Sequence, residues 1–280
     1  MDINWFPGHM NKSMREIESN LAVSDCVVYV LDARAVLSCF NPSFDRKINV
    51  PIVYVLNKAD IAPTDVVNGW LNKLSSAKCT AIATDGTDGS TRKRLIAAIK
   101  SVCAETLAKQ NKRGLNEHLR AMVIGVPNTG KSTIINTLCG KSRLNTGDKA
   151  GVTRSTTWCR VDNTLDVLDT PGTLYPKIAS RVVGENLAII GSIKDEVVDV
   201  TELACALVSR LRDIAPEAVT ARYGFDINSV DNFTALEHIA QKRAFKMRGG
   251  ALDVDRAASA VIDDYRKCRL GKIALERNDG

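Results

Sequence analysis

Apolar and polar positions along the chain follow two different grammars. Up to residue 176, short apolar runs alternate with segments of helical periodicity, the pattern of a largely parallel sheet covered by helices. The runs "CVVYVLDAR" (26–34), "PIVYVLNK" (51–58), "CTAIAT" (79–84), "RAMVIG" (120–125), "TTWCRV" (156–161) and "TLDVLD" (164–169) predict six strands. The last two are separated by Asp162-Asn163, a turn suited to an antiparallel hairpin. "KSTIINTLCG" predicts an apolar-faced helix with Gly140 at its C-cap. After Pro176 the strand signal fades. "DVTELACALVSRLRDIAP" sets Leu203, Leu207 and Leu211 on one face behind an Asp199 N-cap, and "DVDRAASAVIDDYRKCRLG" repeats the plan between Asp253 and Gly271. The pattern thus predicts an α/β domain over 1–176 and an all-helical domain of about five helices over 177–280.

Composition adds limits. The chain has 280 residues, is 45% apolar and 25% charged, and holds no apolar run long enough to span a bilayer. Its start, "MDINWFPGHM", resembles neither a signal nor a transit peptide, and its eight cysteines lack metal-like spacing. Reduced thiols and a cytoplasmic location are the expectation. The net charge of +6 lies wholly in the first domain: residues 1–120 carry 16 Lys and Arg against 12 Asp and Glu and residues 121–176 carry 6 against 4, whereas residues 177–280 carry 16 of each. Two basic stretches, "QKRAFKMRGG" (241–250) and "YRKCRLGK" (265–272), stand out in that neutral half, as solvated helix faces or as a surface for a phosphate-rich partner such as RNA.

The chemistry begins at "GVPNTGKS" (125–132), which fits GxxxxGK[ST] between a predicted strand and a predicted helix. Backbone N–H groups of Asn128, Thr129, Gly130 and Thr133 would cradle phosphates, Lys131 would reach the β- and γ-phosphates, and Ser132 would ligate Mg²⁺. "LDTPG" (168–172) supplies a strand-tip carboxylate, Asp169, for the metal and a Gly172 N–H for the γ-phosphate. "AGVTRSTT" (150–157) should hold the switch hydroxyl on the metal, with Thr153 preferred and Ser155 and Thr156 in reserve.

"NKAD" follows the apolar run "IVYVL". Asp60 can accept from the guanine N1–H and 2-amino group, a pair adenine does not offer; Asn57 can bond elsewhere on the base, and the Lys58 stem can lie over its face. "SAK" (76–78) imitates the loop that backs guanine but precedes its strand, so Thr84 in "ATDG" (83–86) is the better candidate. The base-reading tetrapeptide comes 68 residues ahead of the phosphate loop, the reverse of the usual order. Both fit one site if the domain is circularly permuted, since loops need only share one edge of the sheet. A nucleotide kinase would need an arginine-rich lid and a phosphate-acceptor site, neither of which is visible.

With that motif order, led by "NWFPGHMNKSMREI" and "VYVLDARAVLSCFNP", the chain closely resembles the RbgA (YlqF) family of circularly permuted ribosome biogenesis GTPases. The resemblance implies a factor for late assembly of the large ribosomal subunit, with an RNA-binding helical domain and ribosomal RNA and proteins as partners. Where Ras-like proteins keep a catalytic glutamine, this chain has Thr173. His9 is the candidate for positioning the attacking water, a role the resemblance supports; capping of a helix beginning near Asn11 is its alternative. Asn128 stands where potassium-activated GTPases place an asparagine beside the ion, so K⁺ joins Mg²⁺ as an expected cofactor.

Overall fold

The computed structural model describes residues 17–85, 89–140, 157–170, 172, 178 and 180–278. All six predicted strands are present: β1 (Cys26–Asp32), β2 (Ile52–Asn57), β3 (Cys79–Ala83), β4 (Leu119–Ile124), β5 (Thr157–Arg160) and β6 (Leu165–Asp169). They form one sheet in the order β3-β2-β1-β4-β6-β5. Every neighbouring pair is parallel except β5–β6, the hairpin turned at Asp162-Asn163. Parallel strands end together, so the tips of β1, β2, β3, β4 and β6 share one edge.

Side chains alternate between the faces of each strand, and both faces are buried. Val28, Val30, Val53, Val55, Ala121, Val123 and Val167 face α2 (Thr91–Val102) and α4 (Lys131–Cys139), which contribute Leu95, Ile99, Ile134, Ile135 and Leu138. Between those two helices in sequence lies α3 (Ala104–Lys112). The opposite face carries Val27, Tyr29, Leu31, Leu56, Met122 and Leu168. Against it pack Val66, Val67 and Trp70 of α1 (Thr64–Leu74). The same apolar core runs on without a break into the helices that follow.

Those helices are α5 (Arg181–Ile189), α6 (Val200–Ile214), α7 (Pro216–Tyr223), α8 (Asn232–Lys242) and α9 (Val254–Arg266). Their N-termini are held by caps: the Asp199 side chain accepts from the Glu202 N–H, Asp231 from Phe233 and Thr234, and Asp253 from Arg256. Leu203, Leu207 and Leu211 are fully buried, as their spacing predicts. Helix α9 stops at Arg266 and not near Gly271, because Cys268 already turns left-handed at φ 57°. The chain then returns to the sheet. The Leu275 N–H donates to Arg34 O at 2.7 Å, and Glu276 accepts from the Ser38 hydroxyl and from Asn186 Nδ2. All eight cysteines are free thiols, and no helix among the described residues is long and apolar enough to cross a membrane.

Candidate nucleotide site

The rotated motifs meet at the common edge of the sheet. The phosphate loop leaves the tip of β4 and enters α4, so that Lys131, Ser132 and Thr133 form the first turn of that helix. Asn128 takes a left-handed backbone at φ 64°, and the Thr129 hydroxyl closes the loop by donating to Val126 O at 3.0 Å. At Gly130, φ is 94° and the Asn57 amide lies where a Cβ would stand. Only glycine satisfies both conditions.

Lys131 is 6% exposed, with Nζ donating to Val126 O at 3.0 Å. Burial pushes its pKa down to about 8, against the opposing pull of the Asp169 carboxylate. A buried ammonium resting on a loop carbonyl, at the head of a helix, is a charge that a polyphosphate would complement. Gly172 lies over the loop, where a Cβ would come within 2.8 Å of both Lys131 Nζ and Pro127 Cα. The Thr170 hydroxyl anchors the same segment by donating to Val123 O at 2.6 Å. Asp169, buried at the tip of β6, and Ser132, opening α4, offer the hard oxygen donors that Mg²⁺ prefers. Such an ion would neutralise charge on the phosphates.

The "NKAD" turn lies two strands away. Asn57 is 3% exposed and both ends of its amide are engaged within the protein: Nδ2 donates to Thr129 O at 2.7 Å and Oδ1 accepts from the Thr84 hydroxyl at 3.0 Å. In this structure Asn57 therefore ties the "NKAD" turn to the phosphate loop. Thr84, buried after β3, positions Asn57, and its carbonyl accepts from the Ala59 N–H at 3.0 Å. Lys58 is left-handed at φ 59°, and its ammonium reaches Asn128 O at 2.8 Å. Asp60 is exposed within the short turn Ala59–Ile61 and makes no hydrogen bond or ion pair among the described residues. It is the carboxylate open to a ligand.

A further group was not singled out by sequence reasoning. Asp32, at the tip of β1 beside Asn57, is completely buried. Its carboxylate takes a forked bond from Arg34 Nε and Nη2 at 2.9 and 2.8 Å, and lies 3.0 Å from Lys58 Nζ. Burial alone would raise its pKa, but the Arg34 guanidinium and Lys58 ammonium reverse this and hold it far below the usual carboxylate range. The signal was "LDAR" at the end of a buried strand, on the same edge as "NKAD". The helical half also touches the loop: Asn128 Nδ2 donates to Gly191 O at 3.1 Å and the Ser192 hydroxyl to Pro127 O at 2.7 Å. His9, Thr153, Ser155, Thr156 and Thr173 lie outside the described residues.

A phosphate loop at the centre of a mostly parallel sheet, joined through Asn57 to the aspartate-bearing "NKAD" turn, defines a P-loop GTPase domain of permuted order. Residues 120–226 match the family model described as 50S ribosome-binding GTPase. That match begins at β4, so the "NKAD" turn at 57–60 lies ahead of it, as the permutation requires. The chain is 35% identical to ribosome biogenesis GTPase A of Priestia megaterium, over 99% of this chain and 97% of that protein. It is 31% identical to the protein of the same name from Thermotoga maritima, over 98% and 94% of the two chains. The GNP-bound crystal structure of YlqF from T. maritima superposes with a TM-score of 0.66 at 27% identity, covering 96% of this chain and 99% of that one. The GDP-bound structure gives 0.67 at 26% identity, with 95% and 100% covered. The chain belongs to the ribosome biogenesis GTPase A family.

Proposed function

We propose that this protein hydrolyses GTP to GDP and phosphate while bound to precursors of the large ribosomal subunit, and that the nucleotide state times a late step of their assembly in the cytoplasm. The observation that carries this reading is the Asn57–Thr129 bond, which makes the base loop and the phosphate loop one site despite their order. Relatives named for ribosome biogenesis supply the setting. The chain would divide at 176/177 into a GTPase domain and a helical domain facing ribosomal RNA and protein. In the site, Asp60 reads guanine with the Lys58 stem over the base. The N–H groups of 128–130, 133 and 172 and the Lys131 ammonium bind phosphates, and Ser132, Thr153 and Asp169 hold Mg²⁺. His9 positions the attacking water when the protein is bound to the particle.

Single-turnover hydrolysis with and without large-subunit precursors tests this. The precursor should accelerate the reaction, and His9→Ala should keep GTP affinity but lose most of that stimulation, about 10²–10⁴-fold for such a role. If the particle does not accelerate hydrolysis, the protein is instead a binding module whose turnover is incidental. Equal stimulation of His9→Ala and parent would leave His9 a helix cap.

Potassium is assigned to Asn128, at the turn of the phosphate loop. Its positive charge beside the β- and γ-phosphates would stabilise the transition state. Hydrolysis should run faster in K⁺ than in Na⁺ at equal ionic strength, and Asn128→Ala should abolish the difference. Equal rates for the parent in the two salts would refute the assignment.

A further inference from the structure

The outer face of α6 lines an open groove that the nucleotide site does not use. Leu203, Leu207 and Leu211 of that helix are buried in the core, while Glu202, Cys205, Ala206, Ser209 and Arg210 recur at helical spacing on the other side and form the groove's floor. Both α5 and α8 pack on α6, and they supply the walls: Arg181, Val182 and Glu185 from the first, Asn232 and Phe233 from the second. The groove measures about 720 Å³. Val182 and Phe233 line it while 56% and 49% exposed, so two large apolar side chains stand there half uncovered.

The charge around this groove is lopsided. Glu185, 6% exposed, accepts from Arg181 Nε at 2.7 Å and Arg210 Nη2 at 2.8 Å, which commits both cations to it. Arg212 is committed as well, donating to Asn232 Oδ1 at 2.7 Å and to the carbonyls of Val230 and Ile227. The carboxylates are less engaged. Asp199 and Glu202 line the groove, Asp231 precedes Asn232 as the N-cap of α8, and Asp255 accepts from the hydroxyl of the lining Thr201 at 2.9 Å. Asp199, Asp231 and Asp255 make no ion pair among the described residues. Their field reaches the floor: burial first, then Asp231, Asp199 and Glu202, push the Cys205 thiol pKa up. With Glu185 included, five carboxylates stand against three guanidinium groups.

We propose that this groove binds a cationic amphipathic helix of a protein in the precursor particle, with its apolar stripe on Val182, Ala206 and Phe233 and its Lys or Arg side chains on the rim of Asp199, Glu202 and Asp231. The inference rests on the assembly reading for the source of that helix. Half-exposed apolar walls above a floor of small side chains suit a helix laid in by its apolar face. The carboxylates repel phosphate, so neither an RNA backbone nor an anionic bilayer fits the rim. A bare polycation fits no better, because it leaves Val182 and Phe233 uncovered. A protein that itself lies on RNA carries the excess of Lys and Arg that such a rim attracts.

The test is a fluorescence-anisotropy titration of the full chain with a labelled Lys–Leu peptide patterned as an amphipathic helix, beside a Glu–Leu peptide of the same pattern and polylysine. The Lys–Leu peptide should bind at least about tenfold more tightly than either control. Val182→Ser combined with Phe233→Ser, checked by a melting curve, should weaken that binding by roughly tenfold to a hundredfold, the worth of burying two half-exposed apolar side chains. Glu202→Gln should weaken it by roughly twofold to fivefold, a difference that closes at high salt. Equal binding of the Glu–Leu and Lys–Leu peptides, or parent-like binding by the double variant, overturns the groove and leaves the assembly reading intact. On large-subunit precursors, the double variant should be retained less than the parent in co-sedimentation. Equal retention of the two overturns the particle as the source of the helix, and a parent that is not retained at all overturns the assembly reading itself. Dimerisation of the parent that the double variant loses overturns the choice of partner in favour of a second copy of the chain.

Discussion

Replacing Asp60 with asparagine is expected to exchange the base preference of this protein from guanine to xanthine. In the proposed site the carboxylate would accept from both the N1–H and the 2-amino group of guanine. An asparagine amide presents a donor where the 2-amino group also donates, and the pair repels. Xanthine, with a 2-keto group, accepts from that donor. Sites that recognise a polar group reject the mismatched analogue by roughly 10⁴-fold or more, because a group is left unpaired in a desolvated place. The ratio of GTP to xanthosine triphosphate affinities should therefore fall by roughly 10²–10⁴, and titration with labelled analogues of both measures it. Asp60 is exposed and bears no structural bond among the described residues, so the folded state should be indifferent to the change. Unchanged GTP affinity would mean that the turn does not read the base.

The same exchange on the neighbouring strand should act quite differently. Asp32 is buried beneath the site with Arg34 forked onto it and Lys58 beside it. Asp32→Asn leaves Arg34, itself 2% exposed, without its counter-charge. Breaking a buried pair by removing one partner typically costs about 3–5 kcal/mol. For a chain of this size that corresponds to a melting temperature lower by on the order of 10 °C. The loss should carry a pH signature. Because the folded Asp32 pKa is depressed, the pair contributes fully above the unfolded value near 3.9. Its contribution fades as pH falls below that value towards the lower folded one. Parent and variant should thus differ most near neutrality and converge in acid. A variant that melts with the parent at pH 7 would show the pair to be neutral in the balance of desolvation against attraction.

The contrast between these aspartates explains what the sequence could disclose. Local signals were legible: six apolar runs gave six strands, Gly140 closes α4 in the left-handed region, and Asp199 and Asp253 cap the helices they precede. Asp60 and Lys131 stand out as candidates because phosphate and base recognition impose residue types at fixed spacing. Asp32 carries no signal of its own in the sequence, since its partner Arg34 gains its meaning only from burial. The bonds of Asn128 to Gly191 and Ser192 to Pro127 join residues more than sixty positions apart, and no periodicity announces them. Arg266 was equally silent. It closes the C-terminus of α5 through Ala188 O and Ile189 O and pairs with Asp195. The halves predicted from a change of grammar at 176 share one apolar core on one face of the sheet, which a strand-to-helix transition in sequence does not reveal.

Besides chain continuity after Gly172, the long-range bonds rest the Gly191–Ser192 corner of the helical half on the phosphate loop. A loop that repacks around a γ-phosphate should therefore change how that half presents itself to a partner. The most direct measurement is co-sedimentation of the full chain with large-subunit precursors in a non-hydrolysable GTP analogue, in GDP and without nucleotide. Retention in the analogue should exceed that in GDP by at least about tenfold, a coupling in the ordinary range for linked sites. Equal retention in all three conditions would contradict the proposal that GTP governs a step of ribosome assembly.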